Sequence, residues 1–341
     1  MTTVLVAVLV SFIAAMVATP WLIAALRSRG VGQPIHDAVA LHSAKAGTPT
    51  MGGAVVPIGL VVAYAIAHLV TRTRPAASGL LVLGVTAGAC LVGVGDDWLK
   101  VRRERNLGLR EGQKTVALLV VSVLFAASRL TTPNACTRVS FTRCNALPID
   151  LGPVLWVVFA VAVIWLTANA FNFTDGVDGL ASGSAALTFS AFAVIAFWEF
   201  RHPELYHVSG ALDLAVIAAA LAAGCAGFLW WNRIPASIFM GDTGSLALGT
   251  AMAALALSLD VALLLPILGA LYVIEFGSSS LQRYWFKLTR KRLFKMAPIH
   301  HHFELLGWPE STIIIRFWIL AGLAAALGIG VFYADALKLL G

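Results

Sequence analysis

Five aspartates stand at the ends of long apolar segments, where an isolated charge is costly: Asp96, Asp97, Asp175, Asp178 and Asp242. The first two are adjacent in GVGDDWLK, so on a helix their side chains point about 100° apart and serve different partners. The next two are three residues apart in FNFTDGVDGL, which places both on one face if the turn is helical. Glycines beside the last three let the backbone approach a ligand closely.

This set of residues predicts a particular chemistry. Carboxylates in one place repel each other and any phosphate, and Mg²⁺ resolves that conflict because it binds carboxylate and phosphate oxygens together. Apolar segments that begin just after Gly53, Asp178 and Asp242 offer helix N-termini, which favour bound phosphate. Acids for a metal, with helix starts and lysines for phosphate, predict phosphoryl transfer onto a lipid carrier at a membrane boundary.

The elements that must position these acids are membrane helices. The chain of 341 residues is 59% hydrophobic and 12% charged, and its apolar residues form blocks long enough to span a bilayer as helices. We therefore expect an all-α polytopic membrane protein with a single domain over residues 1–341. About ten transmembrane helices are predicted, near residues 3–26, 53–71, 79–95, 114–130, 153–170, 180–198, 210–230, 245–259, 261–285 and 312–332.

Lysine and arginine predict the orientation. The side formed by the loops after spans 1, 3, 5, 7 and 9 carries 17 of the 24 basic residues, which indicates the cytoplasmic side. Both termini then lie outside, and all five aspartates lie on the cytoplasmic face. The basic clusters on that face have two readings: they set topology only, or they bind anionic ligands or lipid headgroups.

Other polar residues leave alternatives open. The triplet His300, His301 and His302 is read as contacting phosphate or transferring protons rather than as a metal site, because consecutive histidines on a helix cannot all face one ion. Glu275 is read as hydrogen-bonded to neighbours such as Ser278 or Ser279, with a proton relay as the alternative. Asp213 and Asp260 are expected to be only interfacial.

The four cysteines have simpler readings. Cys90 and Cys225 fall inside spans and are expected to pack there. Cys136 and Cys144 share an outward loop, where an oxidising exterior would permit a disulfide, but the sequence leaves that pairing open.

Five motifs in order carry a resemblance to a known family: KAGTPTMGG, GDDWLK, NAFNFTDGVDGL, NRIPASIFMGDTGSLALG and KMAPIHHHFE. They resemble the phospho-N-acetylmuramoyl-pentapeptide transferases of the polyprenyl-phosphate N-acetylhexosamine-1-phosphate transferase superfamily. The resemblance implies transfer of phospho-N-acetylmuramoyl-pentapeptide from its UDP nucleotide to undecaprenyl phosphate, which gives lipid I and UMP. It also implies Mg²⁺ dependence, a place in peptidoglycan synthesis and the bacterial inner membrane.

The same resemblance implies roles for single residues. The catalytic set would be Asp96, which deprotonates or orients the lipid phosphate, with Asp97, Asp242 and His300. Asp242 would bind Mg²⁺ with Asp97 beside it. The remaining residues would bind substrate, with Asn232 and Phe239 on the uracil: Lys45, Lys114, Asn172, Asp175, Asp178, Asn232, Phe239, His301 and His302.

Three alternatives remain at this stage. A polyprenyl-phosphate N-acetylglucosamine-1-phosphate transferase shares the acidic motifs, although KMAPIHHHFE argues against it. A secondary transporter also carries acids in its helices, but near the midplane of the membrane. A scaffold for cell-wall enzymes would not explain the acidic turns. Small residues in spans 1, 7 and 10 are compatible with a homodimer.

Overall fold

A computed structural model describes residues 1–28, 47–102 and 108–340 of the chain. This part is helical, with no strand beyond one isolated bridge between Arg138 and Asp150. A short 3₁₀ turn precedes the second helix. The helices are α1 (Thr2–Ser28), α2 (Val55–Thr71), α3 (Ala77–Arg102), α4 (Glu111–Arg129), α5 (Gly152–Thr174), α6 (Leu180–Arg201), α7 (Pro203–Tyr206), α8 (Ala211–Asn232), α9 (Gly241–Ser258), α10 (Leu265–Leu268), α11 (Ala270–Thr289), α12 (Ile299–Glu304) and α13 (Glu310–Leu340).

Eight helices in the described ranges are long and apolar enough to cross a membrane, so the chain is a multi-pass membrane protein. They are α1 to α6, α8 and α13. The predicted segments 245–259 and 261–285 also form helices, α9 and most of α10 and α11, but these two fall short of that criterion. The prediction of an all-α membrane protein is confirmed, and the number of ten spans stays a prediction.

The shortfall in α9 has a physical reason. Every residue of α9 from Thr243 to Ser258 is buried against neighbouring helices, chiefly α3 and α5. A helix enclosed by protein needs no lipid-facing side chains, and small residues let the surrounding backbones come close. The first turns of α9, GDTGS, are polar because they carry Asp242, and they lower the mean hydropathy of this 18-residue helix. By contrast, Leu9, Val17 and Trp21 of α1 are more than half exposed on the bundle surface.

Alternating helix directions create two polar ends. The site end joins the C-terminal turns of α3 and α5 to the first turns of α4 and α9, and it carries Asp97, Lys114, Asn172 and Asp242. The opposite end carries the end of α4, the start of α8 and the end of α13. Direct contacts of α3 with α4 and α9, and of α5 with α9, define the site end, and the loop lengths alone do not specify them.

The opposite end holds two acids that are buried in the protein. Asp213 is buried and accepts hydrogen bonds from the Tyr64 hydroxyl and the Ala76 amide, at 2.5 and 2.6 Å. Asp260 is buried with its Oδ1 3.8 Å from a guanidinium nitrogen of Arg129. Both acids are therefore held inside the protein beside a partner, because a buried carboxylate needs a compensating group, and their position at the membrane interface stays a prediction.

The loop between α4 and α5 lies at the same end. It contains a disulfide between Cys136 and Cys144, which answers the question that the sequence left open. Cys225 is buried inside α8 and Cys90 is partly buried inside α3, in agreement with packing roles.

Candidate active site

Two helices bring three of the predicted acids together. Asp96 and Asp97 lie in the last turns of α3, and Asp242 lies in the first turn of α9. The two helices meet at Gly93, where a Cβ atom would lie 2.2 Å from the carbonyl oxygen of Asp242. Because only glycine permits that approach, oxygens of the three carboxylates lie within 4.8 Å of one another. The clustering expected for these acids is therefore present.

Two lysines balance this carboxylate cluster (Asp96, Asp97 and Asp242). The Lys100 ammonium lies 2.6 Å from Asp96 Oδ2, 3.3 Å from Asp97 Oδ1 and 2.9 Å from Asp242 Oδ2. The Lys114 ammonium, from the first turn of α4, lies 2.5 Å from the same oxygen of Asp242. Three carboxylates facing two ammonium groups leave an excess of negative charge, and each lysine keeps about a quarter of its side chain exposed. The lysines can therefore turn toward an anionic ligand.

Neutral donors fix the orientation of the carboxylates. Asp97 Oδ2 accepts hydrogen bonds from the backbone amide and the hydroxyl of Thr243, at 2.9 and 2.7 Å. The Asn172 amide donates to Asp242 Oδ1 at 2.7 Å and to the Ser245 hydroxyl at 2.7 Å. Asp96 Oδ1 accepts from the backbone amide of Leu109 at 2.9 Å. The carboxylates are thus oriented before any ligand arrives.

The donor set suits a hard divalent cation. Mg²⁺ prefers carboxylate oxygens and retains positions for phosphate and water, and the carboxylate cluster offers oxygens from Asp97 and Asp242 side by side. The ammonium groups of Lys100 and Lys114 balance the carboxylate charge that a bound cation would otherwise balance. Among the described residues, no group that includes a histidine lies close enough to hold a metal ion.

The turn between α5 and α6 places Asp175 and Asp178 beside this cluster. Asp178 is buried, and its Oδ2 accepts a hydrogen bond from the backbone amide of Ala236 at 3.0 Å. Asp175 is partly exposed. Burial, and then the charges of Asp242, Asp97 and Asp178, raise the pKa of Asp175 well above its ordinary value. A cation or a donating ligand would favour its charged form.

His300 lies beside the same turn, and its imidazole contacts Glu275, which was not expected. Its Nδ1 lies 2.9 Å from Glu275 Oε2, and both side chains are fully buried. Its Nε2 has no hydrogen-bond partner in the described part of the protein and lies 2.4 Å from where a Cβ on Gly176 would be. Ser278 donates a hydrogen bond to the Glu275 backbone carbonyl at 2.7 Å, so the expected serine neighbour is present but contacts the main chain and not the carboxylate. The carboxylate instead orients the imidazole, a common device for functional histidines.

The other two histidines point elsewhere. His301 Nδ1 lies 2.5 Å from Glu304 Oε2, whereas His302 Nδ1 accepts a hydrogen bond from the Lys295 amide at 3.0 Å. The three rings therefore have separate partners, in agreement with the argument against a shared metal ion. Substrate contact by His301 and His302 stays a prediction.

The residues predicted to hold uracil lie on one segment after α8. Asn232 is buried, and its side-chain oxygen accepts hydrogen bonds from the Gly179 amide and the Ser182 hydroxyl, at 3.1 and 2.8 Å. Its amide donates to the Ile238 carbonyl at 3.0 Å. Phe239 is partly exposed, and its backbone pairs with the segment at Pro49. Asn232 thus ties the acidic turn to the Phe239 segment, and its contact with uracil stays a prediction.

Two site residues were absent from the predicted set, and one predicted residue lies elsewhere. Lys100 was read only as part of a basic cluster, although its spacing of three and four from Asp97 and Asp96 on a helix was a usable signal. Glu275 was considered only as a possible proton relay, and its contact with His300 had no local signal because the partner follows 25 residues later. Lys45 lies outside the described residues.

The fold and the carboxylate cluster define a class: a helical membrane protein with a cluster of acids and lysines at one end of its bundle. A family model for glycosyl transferase family 4 matches residues 79–260, which is more than half of the chain. The chain is 47% identical to the phospho-N-acetylmuramoyl-pentapeptide-transferase of Saccharopolyspora erythraea, over 99% of each chain. Proteins of the same name from Frankia casuarinae and Cutibacterium acnes are 46% and 45% identical over at least 98% of each chain. The chain therefore belongs to the phospho-N-acetylmuramoyl-pentapeptide-transferase family, as the motifs indicated.

Proposed function

We propose that the chain transfers phospho-N-acetylmuramoyl-pentapeptide from UDP-N-acetylmuramoyl-pentapeptide to undecaprenyl phosphate, forming lipid I and releasing UMP. The observation that carries this proposal is the convergence of Asp96, Asp97 and Asp242 with two lysines at one end of a membrane bundle. Near-complete alignment with transferases of that name supports the choice of substrates. The activity is a step of peptidoglycan synthesis.

Different residues act on the lipid phosphate and on the sugar nucleotide. An oxygen of the lipid phosphate attacks the sugar-linked phosphorus, the bond from that phosphorus to the bridging oxygen breaks, and UMP leaves with that oxygen. Asp96 accepts the proton of the lipid phosphate or orients it, and Lys100 and Lys114 hold phosphate oxygens. His300, oriented by Glu275, presents Nε2 toward the sugar or phosphate above Gly176.

A divalent cation belongs to the proposal. Mg²⁺ would be held by Asp97 and Asp242, and when bound it would compensate the charge that builds up on the diphosphate. The hydrogen bonds from Thr243 and Asn172 keep these two carboxylates in place for it. Second-layer donors of this kind commonly fix the orientation of metal ligands.

The membrane arrangement follows from the same proposal. Helices α9 and α11 complete ten spans, both termini lie outside, and the site end faces the cytoplasm, where a nucleotide is available. The bundle then lies in the bacterial inner membrane. The excess of lysine and arginine on that side supports this orientation.

The test is transfer by purified protein in detergent, where no gradient exists and a transporter would have no output. Labelled UDP-N-acetylmuramoyl-pentapeptide and undecaprenyl phosphate should give an organic-soluble labelled lipid and UMP. UDP-N-acetylglucosamine should give none. A labelled lipid formed from UDP-N-acetylglucosamine alone would assign the chain to the other branch of the superfamily, and no lipid product from either nucleotide would contradict the proposal.

A further inference from the structure

A cavity lies at the end of α5, the helix that also carries Asn172 of the active site. It has a volume of about 490 Å³ and opens to the surface between the end of α5, the second half of α11 and the segment that leads to α12. We call it the basic pocket, and its lining residues are Phe173, Ser279, Gln282, Arg283, Arg292, Lys295, Met296 and Ala297. None of the roles assigned above uses this cavity.

The lining indicates the chemistry of a ligand. Three side chains are cationic, and no acid occurs among the described residues that line the pocket. The Arg283 guanidinium carbon lies 5.9 Å from the centre of the Phe173 ring, so a cation stands above an aromatic wall. Ser279 is 5% exposed, and its hydroxyl has no hydrogen-bond partner in the described structure. Such a surface fits an extended ligand that has both carboxylates and apolar groups.

The segment that carries two of the cations is held in place. The side-chain oxygen of Gln282, Oε1, accepts hydrogen bonds from the backbone amides of Leu293 and Phe294, at 3.0 and 2.9 Å. Its amide group donates to the Phe294 carbonyl at 3.0 Å. The pocket is therefore preformed, and its wall does not need to be ordered by the ligand.

The pocket adjoins the site of transfer from two directions. Phe173 follows Asn172, whose amide lies 2.7 Å from Asp242 Oδ1. Ala297 lies three residues before His300, whose ring faces Gly176. A substrate whose phosphate lies at the carboxylate cluster can reach the pocket with a flexible arm. Five extended residues span at most about 17 Å.

The alternative that these cations only set membrane topology does not explain why they line a cavity. Arg290 and Lys291 lie on the same loop and are exposed outside the pocket, where they would serve topology equally well. Arg283 instead lies about two helical turns before that loop, within α11, and over an aromatic ring. Topology requires charge but no cavity.

We propose that the basic pocket binds the peptide arm of the nucleotide substrate through its carboxylates, with Arg283 and Arg292 as the principal contacts. The proposal rests on the proposed function, which supplies a sugar nucleotide that carries a pentapeptide. A pentapeptide ends in a free carboxylate and also has apolar side chains, so it matches the cations and the aromatic wall. The pocket then selects for a complete peptide, whereas the carboxylate cluster acts on the diphosphate.

The test compares two double variants that remove the same charge. Arg283→Gln with Arg292→Gln changes the pocket, and Arg290→Gln with Lys291→Gln is the matched control. Each is assayed with UDP-N-acetylmuramoyl-pentapeptide and with the same nucleotide carrying one amino acid. We expect the pocket variant to raise KM for the pentapeptide substrate about tenfold, since each lost charge-assisted contact weakens binding. KM for the short substrate and kcat should stay near the wild-type values, as should both constants of the control.

A substrate change tests the same contact without a variant. Amidation of the C-terminal carboxylate of the pentapeptide should raise KM for the wild-type protein and should have little effect in the pocket variant. An equal rise in KM for both nucleotides, or an equal effect of the control, would overturn the proposal. A rise confined to undecaprenyl phosphate would assign the pocket to the lipid phosphate instead. Wild-type protein that forms no lipid product from either nucleotide would overturn the proposed function and this site with it.

Discussion

The two ends of the bundle use buried acids in different ways. At the opposite end two buried acids have partners of their own: Asp213 accepts hydrogen bonds from Tyr64 and the Ala76 amide, and Asp260 lies beside Arg129. At the site end, three carboxylates from two helices share two lysines that also reach solvent. An acid with its own donor is already compensated, whereas acids that share movable cations can exchange them for a ligand. The proposed function assigns catalysis only to the second arrangement.

The largest difference in transfer activity is expected between variants that neutralise one acid at each end. Asp242→Asn should lower kcat at least about a hundredfold, because it removes a ligand of the proposed cation and a partner of both lysines. Asp97→Asn should have a similar effect. Asp213→Asn should leave transfer unchanged while it lowers the thermal stability. Steady-state formation of labelled lipid and thermal unfolding in detergent measure these outcomes, and near-wild-type transfer by Asp242→Asn would remove the distinction.

The next largest effect on kcat is expected at Glu275, a buried acid that is connected to the site through His300. Glu275→Gln should lower kcat about 10- to 100-fold with little change in KM, because a neutral amide orients the His300 imidazole less firmly than a carboxylate does. Glu199 is equally buried but lies in the last turn of α6, away from the site end, so Glu199→Gln is the matched control. Equal losses of kcat in both variants would indicate that burial of an acid, and not its contact with His300, matters for turnover.

A smaller effect is expected where the site meets the nucleotide. Asn232→Ala should raise KM for the UDP substrate about tenfold and lower kcat less, since it removes the hydrogen bonds that tie Gly179 and Ile238 together. The matched control is Ser182→Ala, which removes one donor to the same oxygen. A loss of stability without any change in KM would show that Asn232 serves only the fold.

The smallest effect is expected at the opposite end. Tyr64→Phe removes the hydroxyl that donates to Asp213 and should lower the free energy of unfolding by about 1 kcal/mol. Transfer activity should stay unchanged within assay error. Reduced kcat in this variant, with intact protein, would mean that the two ends are coupled.

The helical segments could be predicted from the sequence because the length of each apolar block indicates the length of its helix. Segment 245–259 illustrates the limit: α9 is helical, but whether it crosses the bilayer depends on the neighbours that enclose it. The acids of the site were also recognisable, since charge at a membrane boundary is costly anywhere along a chain. Their local motifs identified them before their contacts were known.

What the sequence could not predict is which helix ends meet. Asp97 and Thr243 are 146 residues apart, and nothing in the hydropathy pattern pairs α3 with α9. Glu275 and His300 meet only because α12 turns back on α11. The partners of Asp213 and Asp260 were not recognisable for the same reason, because they come from distant segments. Long-range contacts of this kind are set by packing and not by local periodicity.

The central claim is that Asp97 and Asp242 together hold one divalent cation. Electron paramagnetic resonance of added Mn²⁺ tests it directly, with purified protein and UMP and no turnover required. The account predicts one tightly bound Mn²⁺ per wild-type chain, a loss of that signal in both Asp97→Asn and Asp242→Asn, and an unchanged signal in Asp213→Asn. Wild-type affinity and stoichiometry retained by either of the first two variants would contradict it.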